Sequence, residues 1–138
     1  MSNIIYKEHT PTPQQFNMLT DSVGWGTRDE AVVYKALKNS LFCLCAYDND
    51  RLIGFARIIG DETIFLYIQD VMVLPEYQGK KVGTGIMERL IGQINQYKKA
   101  NPDIRTYLGA SAGKENFYKR FGFETRAGAG LGPGMVLF

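Results

Sequence analysis

The sequence has few of the residues that metal sites and hydrolase sites require. Its 138 residues include two cysteines, Cys43 and Cys45, and a single histidine, His9. The cysteines are too close in sequence for an ordinary structural disulfide, and two thiolates without nearby histidine do not make a zinc site. His9 offers no convincing Ser/Cys-His arrangement of a hydrolase. We therefore predict no metal site and interpret both cysteines as reduced core residues.

Long hydrophobic runs and a strong net charge are also absent. No window approaches the length of a membrane span, and the start, MSNIIYKEHT, has no apolar signal segment. We therefore expect a cytosolic (cytoplasmic) protein that does not bind membranes. The formal net charge of +2 is too small to indicate a nucleic-acid partner on its own. Basic residues are concentrated at Lys80–Lys81 and Lys114–Arg120, and local charge attracts small polyanions.

What remains is the composition of a globular protein. Hydrophobic residues make up 45% of the chain, enough to bury a core, and the length suits one domain over residues 1–138. Hydrophobic period and turn residues predict the secondary structure. The predicted elements are a strand at 3–8, a helix from Thr10 or Thr12 to SVGWG (22–26), a helix at about 28–39, strands at 41–47, 52–59 and 63–73, a helix at 80–100, a strand at 104–110, a short helix ending near Phe121, and one or two strands within 123–138.

This order of elements indicates the fold class. The run LFCLCAY at 41–47 is apolar throughout, which is typical of a strand covered on both faces. Short turns join it to the next two strands, so the three form an antiparallel meander. A strand-helix-strand crossover follows. We therefore predict an α/β fold, a three-layer sandwich with four helices on a mixed, mostly antiparallel sheet.

A glycine-rich stretch lies where the long helix begins. Residues 73–85 read VLPEYQGKKVGTG. A helix start exposes unpaired backbone N–H groups and favours phosphate, and glycine lets an anion approach the backbone closely. Lys80 and Lys81 add positive charge. The P-loop pattern GxxxxGK[ST] is absent, and the dinucleotide pattern GxGxxG fails at Glu88. The stretch on its own is either a mobile loop or an anion site.

Two motifs resemble the GNAT superfamily of N-acetyltransferases. The strand end Val71-Met72-Val73-Leu74-Pro75, followed by QGKKVG at 78–83, is similar to its acetyl-CoA signature. FYKRFGF at 117–123 resembles its F-Y-x-x-x-G-F segment. Lys81 replaces the first glycine of the signature. A lysine still supplies its backbone N–H, but it needs a conformation that a side chain tolerates, and its ammonium could reach a phosphate.

The resemblance implies a cofactor and a place for it. Acetyl-CoA would lie in a cleft where strand 63–73 splays from strand 104–110, with pantetheine paired to the backbone around Val71, Met72 and Val73 like an added strand. The amide of Val71 or Val73 would polarise the acetyl carbonyl. The pyrophosphate would rest on amides of Gln78, Gly79, Lys80, Lys81, Val82, Gly83 and Thr84.

The implied reaction is transfer of the acetyl group to a primary amine by direct attack in a ternary complex. An alkylamine has a pKa of roughly 10, so about one molecule in a thousand is neutral at pH 7. The resemblance makes Tyr118 the acid that protonates the departing thiolate. Asp70 is a candidate base, although it could instead cap a turn or pair with Arg57. Tyr67 is a candidate substrate contact, and a bulge would change which of these residues face the cleft.

Further contacts are less specific. Ser111 either touches the pantetheine arm or only caps the helix that follows it. Lys114 and Lys119 either meet the 3′-phosphate or are simply solvated. Trp25, between two glycines, could line the acceptor pocket, or else fill a core or a dimer contact.

Alternatives of another kind stay open. An acetyl relay through Cys43 or Cys45 is disfavoured because both lie in an apolar strand. A non-catalytic acyl-CoA-binding or sensing module is the main alternative to an enzyme. The chain length favours a small-molecule amine acceptor over an extended peptide. The apolar end MVLF at 135–138 could complete a homodimer.

Overall fold

The predicted elements up to residue 119 are present, with small changes at their ends. The structure is a computed structural model that describes residues 3–138, divided into one unit up to Tyr107 and a second from Leu108 to Phe138. The expectation of one domain stays a prediction. The strands are β1 (Ile4–Glu8), β2 (Phe42–Asp48), β3 (Arg51–Gly60), β4 (Phe65–Val73) and β5 (Arg105–Leu108). The helices are α1 (Pro13–Ser22), α2 (Glu30–Lys38), α3 (Val82–Ala100) and α4 (Glu115–Lys119), with a 3₁₀ turn at Pro75–Tyr77.

Local sequence explains the starts of the first two helices. Thr12 accepts from the Gln15 amide at 3.1 Å, and the Gln15 side chain accepts from the Thr12 amide at 2.9 Å. This reciprocal pair satisfies two amides that α1 leaves unbonded, and Pro13 suits the first helical position. The Asp29 carboxylate accepts from the Ala31 amide at 3.1 Å at the start of α2. The choice of Thr12 over Thr10 follows from this geometry.

The five strands form one mixed sheet in the order β1-β2-β3-β4-β5. The ladders β1/β2, β2/β3 and β3/β4 are antiparallel, so the predicted meander is confirmed. β5 joins β4 where both strands begin, because the Arg105 amide donates to the Ile64 carbonyl at 3.0 Å. The sheet therefore places β4, which leads into the glycine-rich stretch, beside β5, as the expected cleft requires.

Helices cover both faces of this sheet. Phe55 of β3 meets Phe16 of α1 edge to face, with ring centroids 5.7 Å apart. A Cβ added to the neighbouring Gly54 would lie 2.9 Å from Ile86 Cδ1 of α3. Successive strand residues point to opposite faces. The helices α1 and α3 thus lie on opposite sides of the sheet, which confirms the three-layer arrangement and explains why β2 is buried along nearly all its length.

The first turn of α3 packs closely on the sheet. A Cβ added to Gly85 would overlap the hydroxyl and ring of Tyr6 in β1, so only glycine fits there without movement. The Arg89 guanidinium lies 3.9 Å from the Tyr6 ring centroid and donates to the Gly85 carbonyl at 3.0 Å. These contacts hold the start of α3, and with it the glycine-rich stretch, close against β1.

Two predictions about the second unit are wrong. Residues 123–138 form no strand, because the chain turns back on itself through bonds such as Leu131 N–H to Arg126 O at 2.8 Å. Four glycines, at 128, 130, 132 and 134, raise the entropic cost of an extended conformation there. Ser111 does not cap α4, because the N-cap is Lys114, whose amide donates to the Ser111 carbonyl at 3.0 Å. Within residues 3–138, no helix is long and apolar enough to cross a membrane.

Candidate functional site

The site begins at a bulge in β4. Phe55 pairs with Met72 and Arg57 with Gln69, so one residue of β3 faces two residues of β4, Asp70 and Val71. Asp70 has φ of +58°, a left-handed conformation that costs roughly 1–2 kcal/mol for a residue with a side chain. A strained residue inside a strand persists only where its surroundings hold it. The bulge anticipated as a possibility from the sequence is therefore present, one residue before the signature strand end.

Past the bulge, the polar groups of the backbone turn toward the free side of β4. The Leu74 amide donates to the Ile53 carbonyl of β3 at 2.8 Å. Hydrogen-bonding directions alternate along a strand. The amide of Val73 therefore points away from β3, that of Met72 points toward β3, and that of Val71 points away again. The Val73 carbonyl on that side accepts from the Gln78 side chain at 3.0 Å. Two amides in this row are thus oriented for an added strand or ligand.

Asp70 is paired with Arg57, which is one of the roles left open by the sequence. Its Oδ2 accepts from Arg57 Nε at 2.7 Å, and its Oδ1 accepts from Gln69 Nε2 at 3.3 Å. Only 16% of the Arg57 side chain and 11% of the Asp70 side chain are exposed. Tyr67, two residues before Gln69, lies on the same face of the sheet as Gln69 and Arg57. The bulge thus brings Tyr67 and Asp70 to the face that carries α1 and α2.

The turn before α3 presents a row of unbonded amides. Within the part of the chain that the structure describes, none of the six amides from Gly79 to Thr84 has an acceptor in the protein. Gly79 (φ +77°) and Lys81 (φ +66°) are left-handed, an arrangement in which neighbouring amides converge on an anion. The Gln78 amide does not belong to this set, contrary to expectation, because it donates to the Pro75 carbonyl at 3.2 Å. We call residues 79–84 the amide turn.

Sequence reasoning missed the contacts that hold the amide turn. The Tyr77 hydroxyl donates to the Asp48 carboxylate in the turn between β2 and β3. The bond from the Gln78 side chain to Val73 adds a second anchor on β4. The signal in the sequence is the polar pair Tyr77-Gln78 directly before the glycine. The partner of Tyr77, Asp48, comes from a distant part of the chain and could not be read from spacing.

Lys81 occupies a conformation that favours glycine, and this leads to a prediction. We expect Lys81→Gly to raise the free energy of unfolding by about 0.5–1 kcal/mol, because removing the left-handed strain outweighs the added entropy of the unfolded chain. Lys80→Gly is the matched control. Lys80 has a negative φ, so this variant loses the same charge but relieves no strain, and its free energy of unfolding should fall. Urea unfolding measures both. CoA binding should change less than threefold in Lys81→Gly, and a large loss would show that the ammonium is a phosphate ligand.

The second unit carries the other motif. Tyr118 lies in α4, with its ring edge to face against Phe117 at 5.1 Å and against Phe123 at 6.3 Å. Burial raises the pKa of the Tyr118 phenol, so the group stays protonated at neutral pH. Its hydroxyl bonds to no residue that the structure describes. Ser111, Lys114 and Lys119 are exposed, and their contacts with a cofactor stay predictions.

Trp25 and the cysteines have clear environments. Trp25 is 46% exposed between the left-handed Gly24 and Gly26, so it does not fill a core, and its role toward an acceptor stays a prediction. Cys43 and Cys45 are buried and reduced, as predicted. Burial raises the pKa of Cys45 to about 12 and also raises the pKa of Cys43. Such thiols hold almost no thiolate at neutral pH, which argues against an acetyl relay. Residues 3–138 contain no cluster suited to a metal ion.

Comparison with known proteins identifies the family. Residues 39–125 match the family model described as the acetyltransferase (GNAT) domain. An uncharacterized N-acetyltransferase, ycf52-like, of Prochlorococcus marinus is 37% identical over 79% of this chain and 61% of its own length. The histone acetyltransferase TAP1 of Glycine max is 33% identical over 77% of this chain and 49% of its own length. The chain thus spans about three fifths or less of these curated relatives.

Solved structures agree with this assignment. A protein of unknown function from meticillin-resistant Staphylococcus aureus, SA2161, described as a probable acetyltransferase, is similar with a TM-score of 0.86 and 30% identity, covering 99% of both chains. The GNAT family protein SP0256 of Streptococcus pneumoniae is similar with a TM-score of 0.79 and 27% identity, covering 99% of this chain and 98% of that one. The chain belongs to the GNAT family of acetyltransferases.

Proposed function

We propose that the protein is an N-acetyltransferase that moves the acetyl group of acetyl-CoA to a primary amine. The observation that carries this proposal is the amide turn, whose six amides have no acceptor in the described chain and lie at the start of a 19-residue helix. Donors of this kind bind phosphate because the helix dipole adds positive potential at the same point. Lys80 and Lys81 add two charges beside them.

The residues present fit CoA along its length. The pyrophosphate would rest on the amide turn, and pantetheine would pair with the outward backbone of Val71-Met72-Val73. The thioester supplies an activated acetyl group. The outward amide of Val71 or Val73 would then donate to the acetyl oxygen as it gains negative charge, an interaction that is strongest in the transition state. The Gln78 side chain, now on the Val73 carbonyl, would have to yield that acceptor to the ligand.

The proton steps fall to few groups. A neutral amine would attack the acetyl carbon and lose a proton to solvent or to a base, and Asp70, in the bulge of β4, is the candidate carboxylate. The departing sulfur needs a proton, and we propose that the Tyr118 hydroxyl supplies it. A phenol whose pKa is raised by burial is well suited to hold a proton until the thiolate forms.

We propose that the acceptor is a small-molecule amine. Trp25 is exposed, and Tyr67 lies on the face of the sheet beside α1 and α2, so both offer aromatic surface to an ammonium or an apolar amine. The relative named as a histone acetyltransferase makes a lysine side chain the competing acceptor.

Thiol release tests the proposed reaction. Acetyl-CoA is incubated with the protein and, in turn, a polyamine, an aminoglycoside, a free amino acid, a simple alkylamine and a lysine-containing peptide, and free thiol is measured with a chromogenic disulfide. We expect amine-dependent release with a small amine at a higher kcat/KM than with the peptide. Binding of acetyl-CoA by calorimetry without release on the whole panel would instead identify a sensing module. Release with the peptide alone would overturn the small-molecule acceptor.

We further propose that Met135–Phe138 mediates a homodimer. These four apolar residues are 73–109% exposed, and a contiguous exposed apolar segment is typical of an interaction site. Light scattering on the purified protein should give twice the mass of one chain, and Met135→Ser/Leu137→Ser should give the mass of one. A monomeric starting protein, or a variant that stays dimeric, would contradict the proposal.

A further inference from the structure

A buried charged network connects the carboxyl end of α2 to the bulge in β4. Arg57 donates through Nε to Asp70 and through Nη1 to the Ala36 carbonyl at 3.2 Å and to Ser40 Oγ at 3.3 Å. The Ser40 hydroxyl also donates to the Ala36 carbonyl at 3.1 Å. A guanidinium at the carboxyl end of a helix is favoured by the helix dipole. The network therefore binds Asp70 to a rigid helix on one side of the sheet.

The network acts at the strained residue of the strand. Asp70 is the left-handed residue of the bulge, and its ψ, with the φ of Val71, sets the plane of the peptide whose N–H belongs to Val71. Both Asp70 oxygens accept hydrogen bonds from protein donors. A carboxylate used in this way holds a conformation, because each of its oxygens is directed at a donor of the protein.

We propose that Arg57 and Asp70 are positioning residues that hold the bulge and thereby aim the Val71 amide at the acetyl oxygen. This inference rests on the proposed acetyl transfer and assigns Asp70 a role other than the general base. A base must keep its carboxylate for turnover. A positioning pair needs only two side chains that hydrogen-bond to each other without a buried, unmatched charge.

Three variants separate these roles. Arg57→Gln and Asp70→Asn each leave one buried charge without its partner, whereas the double variant Arg57→Gln/Asp70→Asn places two neutral amides together. Asparagine also tolerates the left-handed conformation. The matched control is Arg51→Gln, which breaks the Arg51–Glu76 pair at 3.4 Å, where both side chains are more than half exposed.

We expect each single variant to lower kcat by at least 30-fold and the double variant to recover to within about fivefold of the unmodified protein, while the KM for acetyl-CoA changes little. Arg51→Gln should keep kcat within twofold. The rate of thiol release is measured with the best amine of the panel. A double variant as inactive as Asp70→Asn would overturn the inference and restore Asp70 as the base.

A second readout needs no turnover. The ¹⁵N–¹H signal of the Val71 amide should shift on addition of acetyl-CoA in the unmodified protein and the double variant, and should shift by less than half as much in Arg57→Gln. Equal shifts in all three proteins would overturn the positioning role. If acetyl-CoA does not bind the unmodified protein at all, the proposed function fails, a result distinct from loss of activity in the double variant.

Discussion

Replacement of Gly83 by valine should weaken CoA binding by about 100-fold, the largest effect on affinity that we expect from a single substitution. Gly83 is the second residue of α3 and has a helical, negative φ, so valine strains no backbone there. Its side chain would instead stand beside the amide turn and keep phosphate oxygens from the donors. Hydrogen bonds to a charged group contribute roughly 1.5–3 kcal/mol each, and losing one or two of them gives the predicted factor.

Gly92→Val is the matched control for this result. Gly92 lies in the same helix with no atom within 4 Å of an added Cβ, far from the amide turn. We expect calorimetry to show unchanged CoA affinity in Gly92→Val and the loss in Gly83→Val, while both variants unfold at urea concentrations close to that of the unmodified protein. Equal affinities in the two variants would mean that the diphosphate lies elsewhere.

Removal of the Tyr118 hydroxyl should lower kcat by about 10²–10³-fold, which lies within the contribution typical of a general acid. Tyr118→Phe keeps the ring that packs against Phe117 and Phe123, so the fold and the CoA affinity should hold. Tyr34→Phe, on an exposed face of α2, is the control and should keep the kcat of the unmodified protein. A Tyr118→Phe variant with kcat within threefold would show that the thiolate is protonated by another group.

The pH dependence follows from the environment of Tyr118. Burial raises the pKa of this phenol above its ordinary value of 10, so the acid form is fully present at neutral pH and is lost only at pH values above 10. We therefore expect no alkaline decrease in kcat from Tyr118 between pH 7 and pH 9.5. A decrease centred near pH 8 that disappears in Tyr118→Phe would contradict the assignment of a buried, protonated acid.

The hydrophobic pattern was sufficient to predict most of the fold. Strands β2 to β4 are apolar runs bounded by turn residues, and α3 repeats its apolar positions over five turns. Such signals are local and need no knowledge of the partner. The predicted start of α3, Lys80, is two residues too early. The helix begins at Val82 because Lys81 is left-handed, a conformation that a lysine in the sequence does not signal.

The site was predictable where it depends on the backbone of a motif and unpredictable where it depends on distant partners. The amide turn was expected because QGKKVG resembles the acetyl-CoA signature, which depends on backbone amides and not on distant side chains. The pairing of Asp70 with Arg57 requires a one-residue bulge whose register only the β3/β4 ladder shows, and the network from there to Ala36 and Ser40 crosses from sheet to helix. The prediction of strands at 123–138 is wrong although it rests on local composition. Their composition allows a strand, but turns closed by Thr125 and Arg126 form instead.

A crystal structure with CoA tests the central claim most directly. We predict diphosphate oxygens at about 2.7–3.1 Å from the amide nitrogens of at least three residues between Gly79 and Thr84, with the pantetheine arm running along Val71–Val73. Diphosphate bound at another surface, with the amide turn in contact only with water, would contradict the account.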